Sequence, residues 1–233
     1  MFREVINCIY PSRCAICDEV KLPEEIVCPA CTDKIKLISG DTCFKCGKSL
    51  RDTGKVYCYD CSRRIHYYDR GFSIFEYEDI KKSLYRFKYQ GRTEYAAFYA
   101  YMADYSLGRV LRDLNADALI PVPIHKRRFR KRGYNQALVM ANELSKLINV
   151  PVCNDLIFRK KSTIPLKELD EEGRRNNLKK AFIIRPNGVK LDTIVIIDDI
   201  YTTGATIDTI SSLFRGYGVT KIYCLTVAIG RGL

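Results

Sequence analysis

The chain has 233 residues, and 47% of them are hydrophobic, which is enough for a packed core and excludes a disordered protein. No apolar run approaches the roughly 20 residues of a membrane-spanning helix, and Arg3 and Glu4 interrupt the region where a signal peptide would be apolar, so we expect a cytoplasmic protein without a membrane span. The net charge of +12 lies entirely in residues 63–233, because residues 1–62 are balanced, and it favours an anionic partner: a phosphorylated substrate, nucleic acid or an acidic membrane surface.

Eight of the eleven cysteines form four Cys-x-x-Cys pairs near the N-terminus. The pairs are Cys14/Cys17, Cys28/Cys31, Cys43/Cys46 and Cys58/Cys61. A reducing cytosol favours metal binding over disulfides, and two pairs complete a tetrahedral site of four thiolates. The pattern predicts two structural zinc ions, bound either by consecutive pairs or crosswise, with the first pair joined to the third. Residues 1–65 are expected to form a double zinc ribbon. His66, just beyond it, is expected to be a surface or packing residue, and replacement of a cysteine ligand is the alternative.

Beyond residue 65, strand-like and helix-like segments alternate. The predicted strands span residues 72–77, 118–122, 193–197 and 221–228. The predicted helices span residues 79–89, 94–111, 134–148 and 205–214. This alternation predicts an α/β fold with a mainly parallel sheet over residues 66–233.

The loop after the strand at 193–197 carries a ligand-binding pattern. Asp198 and Asp199 leave the strand, and a turn of hydroxyl and small residues then opens the next helix. That turn reads Thr202, Thr203, Gly204, Ala205 and Thr206. A helix N-terminus suits a phosphate, and paired carboxylates at a strand end suit vicinal hydroxyls or Mg²⁺. The loop therefore suits a ribose 5-phosphate, and an ordinary capped helix is the alternative.

A strongly basic segment follows the short strand at 118–122. Its candidate residues for binding pyrophosphate or nucleic acid are Lys126, Arg127, Arg128, Arg130 and Arg132. We expect a basic loop, and a solvated loop with no ligand is the alternative. Phe129 and Tyr134 are candidates for stacking on bases, unless Phe129 packs inward. The aromatic residues at 95–105 are expected to form a packing surface.

Residues 194–206 resemble the signature with which type I phosphoribosyltransferases bind phosphoribosyl pyrophosphate (PRPP). By this resemblance, Asp198 and Asp199 contact the ribose hydroxyls, the turn at 202–206 binds the 5-phosphate, and Mg²⁺ bridges the pyrophosphate. The implied fold is a type I phosphoribosyltransferase-like sheet, mainly parallel and flanked by helices, next to the small N-terminal zinc-ribbon module.

The order of motifs along nearly the whole chain resembles the ComF/GntX family. Besides the cysteine pairs and the PRPP loop, the motifs are Lys88-Tyr89-x-Gly91-Arg92, Pro121-Val122-Pro123, Arg132-Gly133-Tyr134-Asn135-Gln136 and Arg174-x-x-Asn177-Leu178-x-x-Ala181-Phe182. One departure is Leu166, because the family often has Gln after the Thr-x-Pro that is Thr163-Ile164-Pro165 here. The family is associated with natural competence and the handling of incoming single-stranded DNA.

The resemblance implies three alternative functions. The first is a phosphoribosyltransferase that moves phosphoribosyl from PRPP to an unidentified nitrogenous base, with Arg174 as a candidate catalytic cation in a closing loop at 159–177. The second is a PRPP-binding protein of DNA uptake whose basic surface binds single-stranded DNA. The third is an adaptor whose zinc module docks a competence helicase or channel protein. We favour PRPP binding in natural competence.

Overall fold

The computed structural model describes residues 11–50, 52, 54–160, 181–185 and 188–230. The candidate catalytic cation Arg174 and the departure at Leu166 lie outside this part of the chain. Among the described residues, no helix combines the length and the apolar character that crossing a lipid bilayer requires.

Six strands form two sheets within the described residues. The strands are β1 (Arg70–Glu76), β2 (Ala118–Pro121), β3 (Ile157–Arg159), β4 (Phe182–Ile184), β5 (Thr193–Tyr201) and β6 (Lys221–Ile229). Four of them form a central sheet in the order β1-β6-β5-β2, in which every pair is parallel. Strands β3 and β4 form a separate antiparallel ribbon. The prediction of a mainly parallel sheet is therefore confirmed.

Helices cover both faces of the central sheet. The α-helices in the described ranges are α1 (Tyr59–Ser62), α2 (Tyr77–Tyr89), α3 (Tyr95–Asp113), α4 (Lys126–Arg132), α5 (Gln136–Ile148) and α6 (Ala205–Gly216). Helices α2, α3 and α5 lie on one face, whereas α6 and the β3–β4 ribbon lie on the other. All of the predicted helices and strands are present, with ends within a few residues of those expected.

The central strand β5 contributes to a hydrophobic cluster on each face of the sheet. Val195 and Ile197 belong to the cluster under α2, α3 and α5, and Ile194 and Ile196 belong to the cluster under α6. This division follows from strand geometry, since successive side chains point to opposite faces. Burial on both faces explains why β5 begins as an unbroken apolar run, as is typical of central parallel strands.

The cysteine-rich module wraps around the β1 edge of the central sheet. Leu37 forms an antiparallel bridge with Phe75, and the Ile38 N–H donates to the Ile74 carbonyl at 2.9 Å. The first two cysteine pairs pack in the cluster on the α2 and α3 face, and the last two pack in the cluster on the α6 face. The module therefore covers an edge strand that would otherwise be open to pairing with another chain.

The aromatic residues of α3 divide into two groups. Tyr95, Phe98 and Tyr99 are buried in the core. Tyr101 and Tyr105 lie on the outer surface, where their ring centroids are 6.5 Å apart. The expected packing surface is therefore formed by the three inner residues only.

Candidate functional site

The eight paired cysteines form two clusters, and the pairing is consecutive rather than crossed. The first cluster contains Cys14, Cys17, Cys28 and Cys31, and the second contains Cys43, Cys46, Cys58 and Cys61. In each cluster the four Sγ atoms lie within 4.8 Å of one another.

The sulfur geometry of both clusters fits a tetrahedral zinc ion. Cys17 Sγ lies 3.6 Å from Cys28 Sγ, and Cys46 Sγ lies 3.7 Å from Cys58 Sγ. A disulfide would need about 2.05 Å, whereas Zn–S bonds of about 2.3 Å separate tetrahedral ligands by about 3.8 Å. Because protein thiolates supply all four ligands, a zinc ion in either site would be structural and would have no open position for substrate.

The two ribbons repeat one another at a turn next to the first cysteine pair of each. Asp18 and Gly47 occupy equivalent positions, with left-handed φ angles of 72° and 75°. The Asp18 carboxylate accepts hydrogen bonds from Arg92 and Tyr95, which ties the first ribbon to the helical layer. At Gly47 a Cβ would lie 2.7 Å from the Ser73 backbone nitrogen. The second ribbon therefore packs backbone to backbone against β1.

His66 is a packing residue, as the sequence analysis expected. Its side chain is 1% exposed, and its Nδ1 lies 2.8 Å from Oδ2 of Asp208. The other carboxylate oxygen of Asp208 accepts the Tyr67 N–H at 3.0 Å. Since Asp208 lies in the first turn of α6, the segment that follows the second ribbon is fixed to that helix.

Asp198 and Asp199 lie at the carboxyl end of β5, near the middle of the sheet. Because successive strand residues point to opposite faces, the two carboxylates meet different layers of the protein. Asp199 faces α2, where Lys88 Nζ lies 2.9 Å from its Oδ1. Asp198 faces the side of the β3–β4 ribbon, and its Oδ1 accepts the Asp199 N–H at 2.9 Å.

Asp198 has a strongly perturbed carboxyl group. Burial raises the pKa of Asp198 to about 7, and the neighbouring charge of Asp199 acts in the same direction. Lys88 and Arg159 oppose this increase through their positive charges. Arg159 is the last residue of β3 and Lys88 lies in α2, so cations from two separate elements act on the carboxylate pair.

The turn between β5 and α6 is shaped by Tyr201 and Gly204. Gly204 has a φ of 77°, and a Cβ there would lie 2.3 Å from the Tyr201 hydroxyl, so the position requires glycine. The Tyr201 hydroxyl lies 2.8 Å from the hydroxyl of Tyr68, and both tyrosines are buried. Thr202 and Thr203 are exposed in front of the first turn of α6, where backbone N–H groups lack intrahelical partners. Exposed hydroxyl side chains therefore occur next to a helix N-terminus in the turn that was expected to bind the phosphate.

The basic segment is a short helix, which corrects the expectation of a loop. Helix α4 follows His125, whose Nδ1 accepts the Arg127 N–H at 3.2 Å, and it ends at Gly133 with a φ of 82°. Capping at both ends explains how so charged a sequence forms a helical turn. Phe129 is 48% exposed, so it does not pack inward.

Tyr134 does not project as a stacking platform. Its ring packs against Phe87 with centroids 5.8 Å apart, and its hydroxyl donates to the Phe87 carbonyl. Tyr89, which has no predicted role, is 51% exposed next to α4. Arg132 Cζ lies 5.0 Å and Lys131 Nζ 6.0 Å from the Tyr89 ring centroid. An aromatic ring flanked by cations therefore lies where none was predicted.

The structure thus brings together only part of the expected site. The carboxylate pair and the turn at 202–206 are adjacent. Burial lowers the pKa of Arg159, and the positive charge of nearby Arg128 adds to this decrease. The other basic candidates lie along α4: Lys126, Arg127 and Arg130 are exposed, and Arg132 is half-buried and donates to Gln136 at 2.9 Å. Sequence reasoning missed Arg159 and Lys88 as site residues, although Lys88 belongs to one of the motifs quoted above.

Comparisons with known proteins match two parts of the chain. The family model of the double zinc ribbon domain matches residues 5–62. A purine phosphoribosyltransferase structure from Pyrococcus horikoshii Ot3 is similar to part of the chain, at 19% identity and a TM-score of 0.38, covering 57% of this chain and 74% of that one.

Three curated relatives match most of the chain. Competence protein F of Haemophilus influenzae is 31% identical over 90% of this chain and 93% of its own length. Competence protein ComFC of Bacillus subtilis is 32% identical over 79% of this chain and 76% of its own length. The DNA utilization protein YhgH of Escherichia coli O157:H7 is 24% identical over 91% of this chain and 88% of its own length. This chain therefore belongs to the ComF/GntX family, together with Competence protein F and ComFC.

Proposed function

We propose that this protein binds PRPP with Mg²⁺ at the carboxyl end of β5 and acts in natural competence and DNA uptake. The role in competence is supported by the names of two relatives, Competence protein F and ComFC, and the link to DNA by the name of a third. The same proposal assigns residues 1–65 to the zinc module and residues 66–233 to a type I phosphoribosyltransferase-like domain.

One observation carries the PRPP proposal. Asp198 and Asp199 lie near the carboxyl end of the central parallel strand β5, which ends at Tyr201, and a glycine turn then opens α6. Carboxylate oxygens accept hydrogen bonds from vicinal hydroxyls or bind Mg²⁺, and the helix N-terminus binds an anion. A ribose 5-phosphate fits both the carboxylates and the helix N-terminus, since its hydroxyls and its phosphate lie on opposite sides of one small ring.

Calorimetric titration of PRPP and Mg²⁺ tests this proposal. We expect saturable binding by zinc-loaded wild-type protein and none by the double variant Asp198→Ala/Asp199→Ala. Glu143→Ala is the matched control, because this carboxylate lies on α5, away from β5, where it pairs with Lys146 on the surface. Absence of binding by the folded wild-type protein would contradict the proposal.

The same site raises the question of turnover. In an active transferase, the cations near Asp198 would stabilise the pyrophosphate as it leaves and a nitrogenous base takes the phosphoribosyl group. Release of pyrophosphate from PRPP in the presence of candidate bases measures this activity. Arg174 remains a proposed catalytic cation of that reaction.

A second proposed activity is single-stranded DNA binding at α4. The exposed ring of Tyr89 lies beside Arg132 and Lys131, and Phe129 is exposed on the same helix. Aromatic rings stack on bases and cations contact the phosphates, which are the two elements of sequence-independent binding to single strands. This surface includes α4, the basic segment for which nucleic-acid binding was predicted.

Fluorescence anisotropy with a labelled oligothymidylate tests this surface. We expect Tyr89→Ala to weaken binding about tenfold and the wild-type affinity to fall steeply with salt. Tyr105→Ala is the matched control, because Tyr105 is 73% exposed on α3. Docking of a competence helicase or channel protein on the zinc module remains a proposal that co-purification would test.

A further inference from the structure

The two zinc ribbons share one cysteine pattern but differ in charge. Residues 11–40, which contain the first cluster, have four lysines and arginines against five aspartates and glutamates. Residues 41–70, which contain the second cluster and lead into β1, have seven against four. A zinc ion held by four thiolates would add the same charge to each ribbon, so the difference comes from the other side chains. The second ribbon is therefore the one suited to a polyanion.

The residues next to the cysteines show where the two ribbons differ. Phe44 and Tyr59 each follow the first cysteine of a Cys-x-x-Cys pair in the second cluster, and Arg63 lies two positions after its last cysteine. The equivalent residues of the first ribbon are Ala15, Pro29 and Asp33. Two aromatic rings and a cation are thus found in the second ribbon where the first has two small residues and an acid.

A guanidinium group lies over each of these two rings. Cζ of Arg63 is 4.4 Å from the ring centroid of Tyr59, and Cζ of Arg70 is 4.9 Å from that of Phe44. Arg70 is equally close to the buried ring of Phe72, so its guanidinium contacts two rings. Stacked guanidinium and aromatic groups form a surface that is flat, apolar and cationic at once.

This surface is open to solvent and its acidic neighbour is paired. Tyr59 is 62% exposed and Phe44 42% exposed, and Arg63 is exposed as well. Asp60, between the last two cysteines, forms an ion pair with Lys48 at 3.0 Å, which offsets its repulsion of an anion. An unpaired base has a flat apolar face next to a phosphate, and it matches a ring next to a guanidinium. In a duplex the base faces are covered by their neighbours.

We propose that the second zinc ribbon binds single-stranded nucleic acid, with bases stacked on Tyr59 and Phe44 and phosphates bound by Arg63 and Arg70. The guanidinium groups donate hydrogen bonds to the phosphate oxygens. This site is separate from the surface at α4, and it does not depend on PRPP binding. Single-stranded DNA and RNA share the chemistry that the ribbon recognises.

Fluorescence anisotropy with short labelled oligothymidylate and oligouridylate tests this assignment on the full, zinc-loaded chain. We expect Tyr59→Ala and Arg63→Gln each to weaken binding of the single strands about tenfold. A labelled duplex of the same length should be insensitive to Tyr59→Ala, because its bases are not available for stacking. A stronger effect on one of the two oligonucleotides supports the assignment and identifies the nucleic acid.

Lys34→Gln and Tyr105→Ala are the matched controls. Lys34 is an exposed cation beside the first cluster, and Tyr105 is an exposed ring on α3. Both variants should keep single-strand affinity within about twofold, and zinc content, measured with a metallochromic dye, should equal that of the wild type in every variant.

Three results would overturn the assignment: no binding of either oligonucleotide by the wild type, unchanged affinity in zinc-loaded Tyr59→Ala and Arg63→Gln, or an equal loss in Lys34→Gln. If only Tyr89→Ala weakens binding, the surface at α4 stands and the second ribbon is excluded. PRPP titrations of Arg63→Gln should match the wild type, so this result and the proposed function are judged separately.

Discussion

Lys88 Nζ lies 2.9 Å from Asp199 Oδ1, in an ion pair whose side chains are only 14% and 18% exposed. Lys88 comes from the last turn of α2, where a cation also interacts favourably with the helix dipole. The pair therefore joins the helical layer to the carboxyl end of β5. It also compensates one of two adjacent carboxylates, which would otherwise repel each other.

Replacing Lys88 by methionine should weaken PRPP binding about tenfold at pH 7, which corresponds to roughly 1.4 kcal/mol. Lys88 opposes the increase in the pKa of Asp198, so without this cation fewer molecules carry the Asp198 charge at this pH. The difference in affinity from the wild type should narrow at pH 8.5, where the Asp198 carboxyl group, with its pKa of about 7, is largely ionised. Lys81→Met is the control, because Lys81 lies on the same helix in an exposed pair with Glu78. Equal or tighter PRPP binding by Lys88→Met would contradict this role.

The raised pKa of Asp198, about 7, predicts that ligand affinity depends on pH. Only the ionised carboxylate accepts hydrogen bonds from a diol through both oxygens or binds Mg²⁺. The competent fraction, and with it the affinity for PRPP, should increase about tenfold between pH 6 and pH 8. The Asp198→Asn variant lacks the titrating carboxyl group, so the pH dependence of its PRPP affinity, measured in parallel, gives the contribution of the ligand phosphates. Identical pH profiles for the two proteins would exclude Asp198 as the titrating group.

The raised pKa of Asp198 also predicts that folding stability decreases with pH, whereas ligand affinity increases. A folded-state pKa of about 7, above the ordinary value of 3.8, means that the folded protein holds more protons than the unfolded chain between these pH values. Stability therefore falls as the pH increases through this window. Asp198→Asn keeps an oxygen for the Asp199 N–H and lacks the buried charge. Its melting temperature should exceed that of the wild type at pH 8, and the difference should shrink towards pH 5.

The strands of the central sheet and the helices that pack on it could be predicted from the sequence because they follow hydrophobic periodicity. The carboxylate pair could be predicted because it directly follows the apolar run with which β5 begins. The ribbon that carries Arg159 could not be predicted in this way. Its strands have three residues each and pair across 22 intervening positions. Helix α4 has no apolar stripe, so its helical form depends on the caps at His125 and Gly133. The ion pair between Lys88 and Asp199 joins residues that are far apart in the sequence, so it could not be predicted either.

Tyr68 links the second ribbon to the phosphate turn, since its hydroxyl lies 2.8 Å from that of Tyr201. Tyr68→Phe leaves the buried Tyr201 hydroxyl without this partner and should cost about 1 kcal/mol of folding free energy. It should also weaken ribose 5-phosphate binding several-fold, because Tyr201 supports Gly204. Tyr67→Phe is the control, because Tyr67 is 47% exposed. A loss of stability with unchanged affinity would assign Tyr68 a purely structural role.

Gly204 and Gly218 separate backbone strain from steric conflict. Both have positive φ angles, 77° and 96°, but only at Gly204 would a Cβ meet another group, the Tyr201 hydroxyl at 2.3 Å. Alanine at either position should cost about 1–3 kcal/mol from strain. Only Gly204→Ala should abolish ribose 5-phosphate binding in titration calorimetry. Retained binding by Gly204→Ala would mean that the turn does not hold the phosphate.

The second ribbon packs against the sheet, so we predict that loss of its zinc ion weakens PRPP binding. A zinc module that folded independently of the sheet would not have this effect. At Gly71 of β1, a Cβ would lie 2.4 Å from the Lys45 carbonyl oxygen, so this ribbon and the sheet are in direct contact. Cys46→Ser should therefore remove one of two zinc ions, measured with a metallochromic dye, and should weaken ribose 5-phosphate binding as well. Cys153→Ser is the control, because Cys153 belongs to neither cluster. If Cys46→Ser loses zinc and keeps wild-type affinity, the ribbon does not support the phosphate turn.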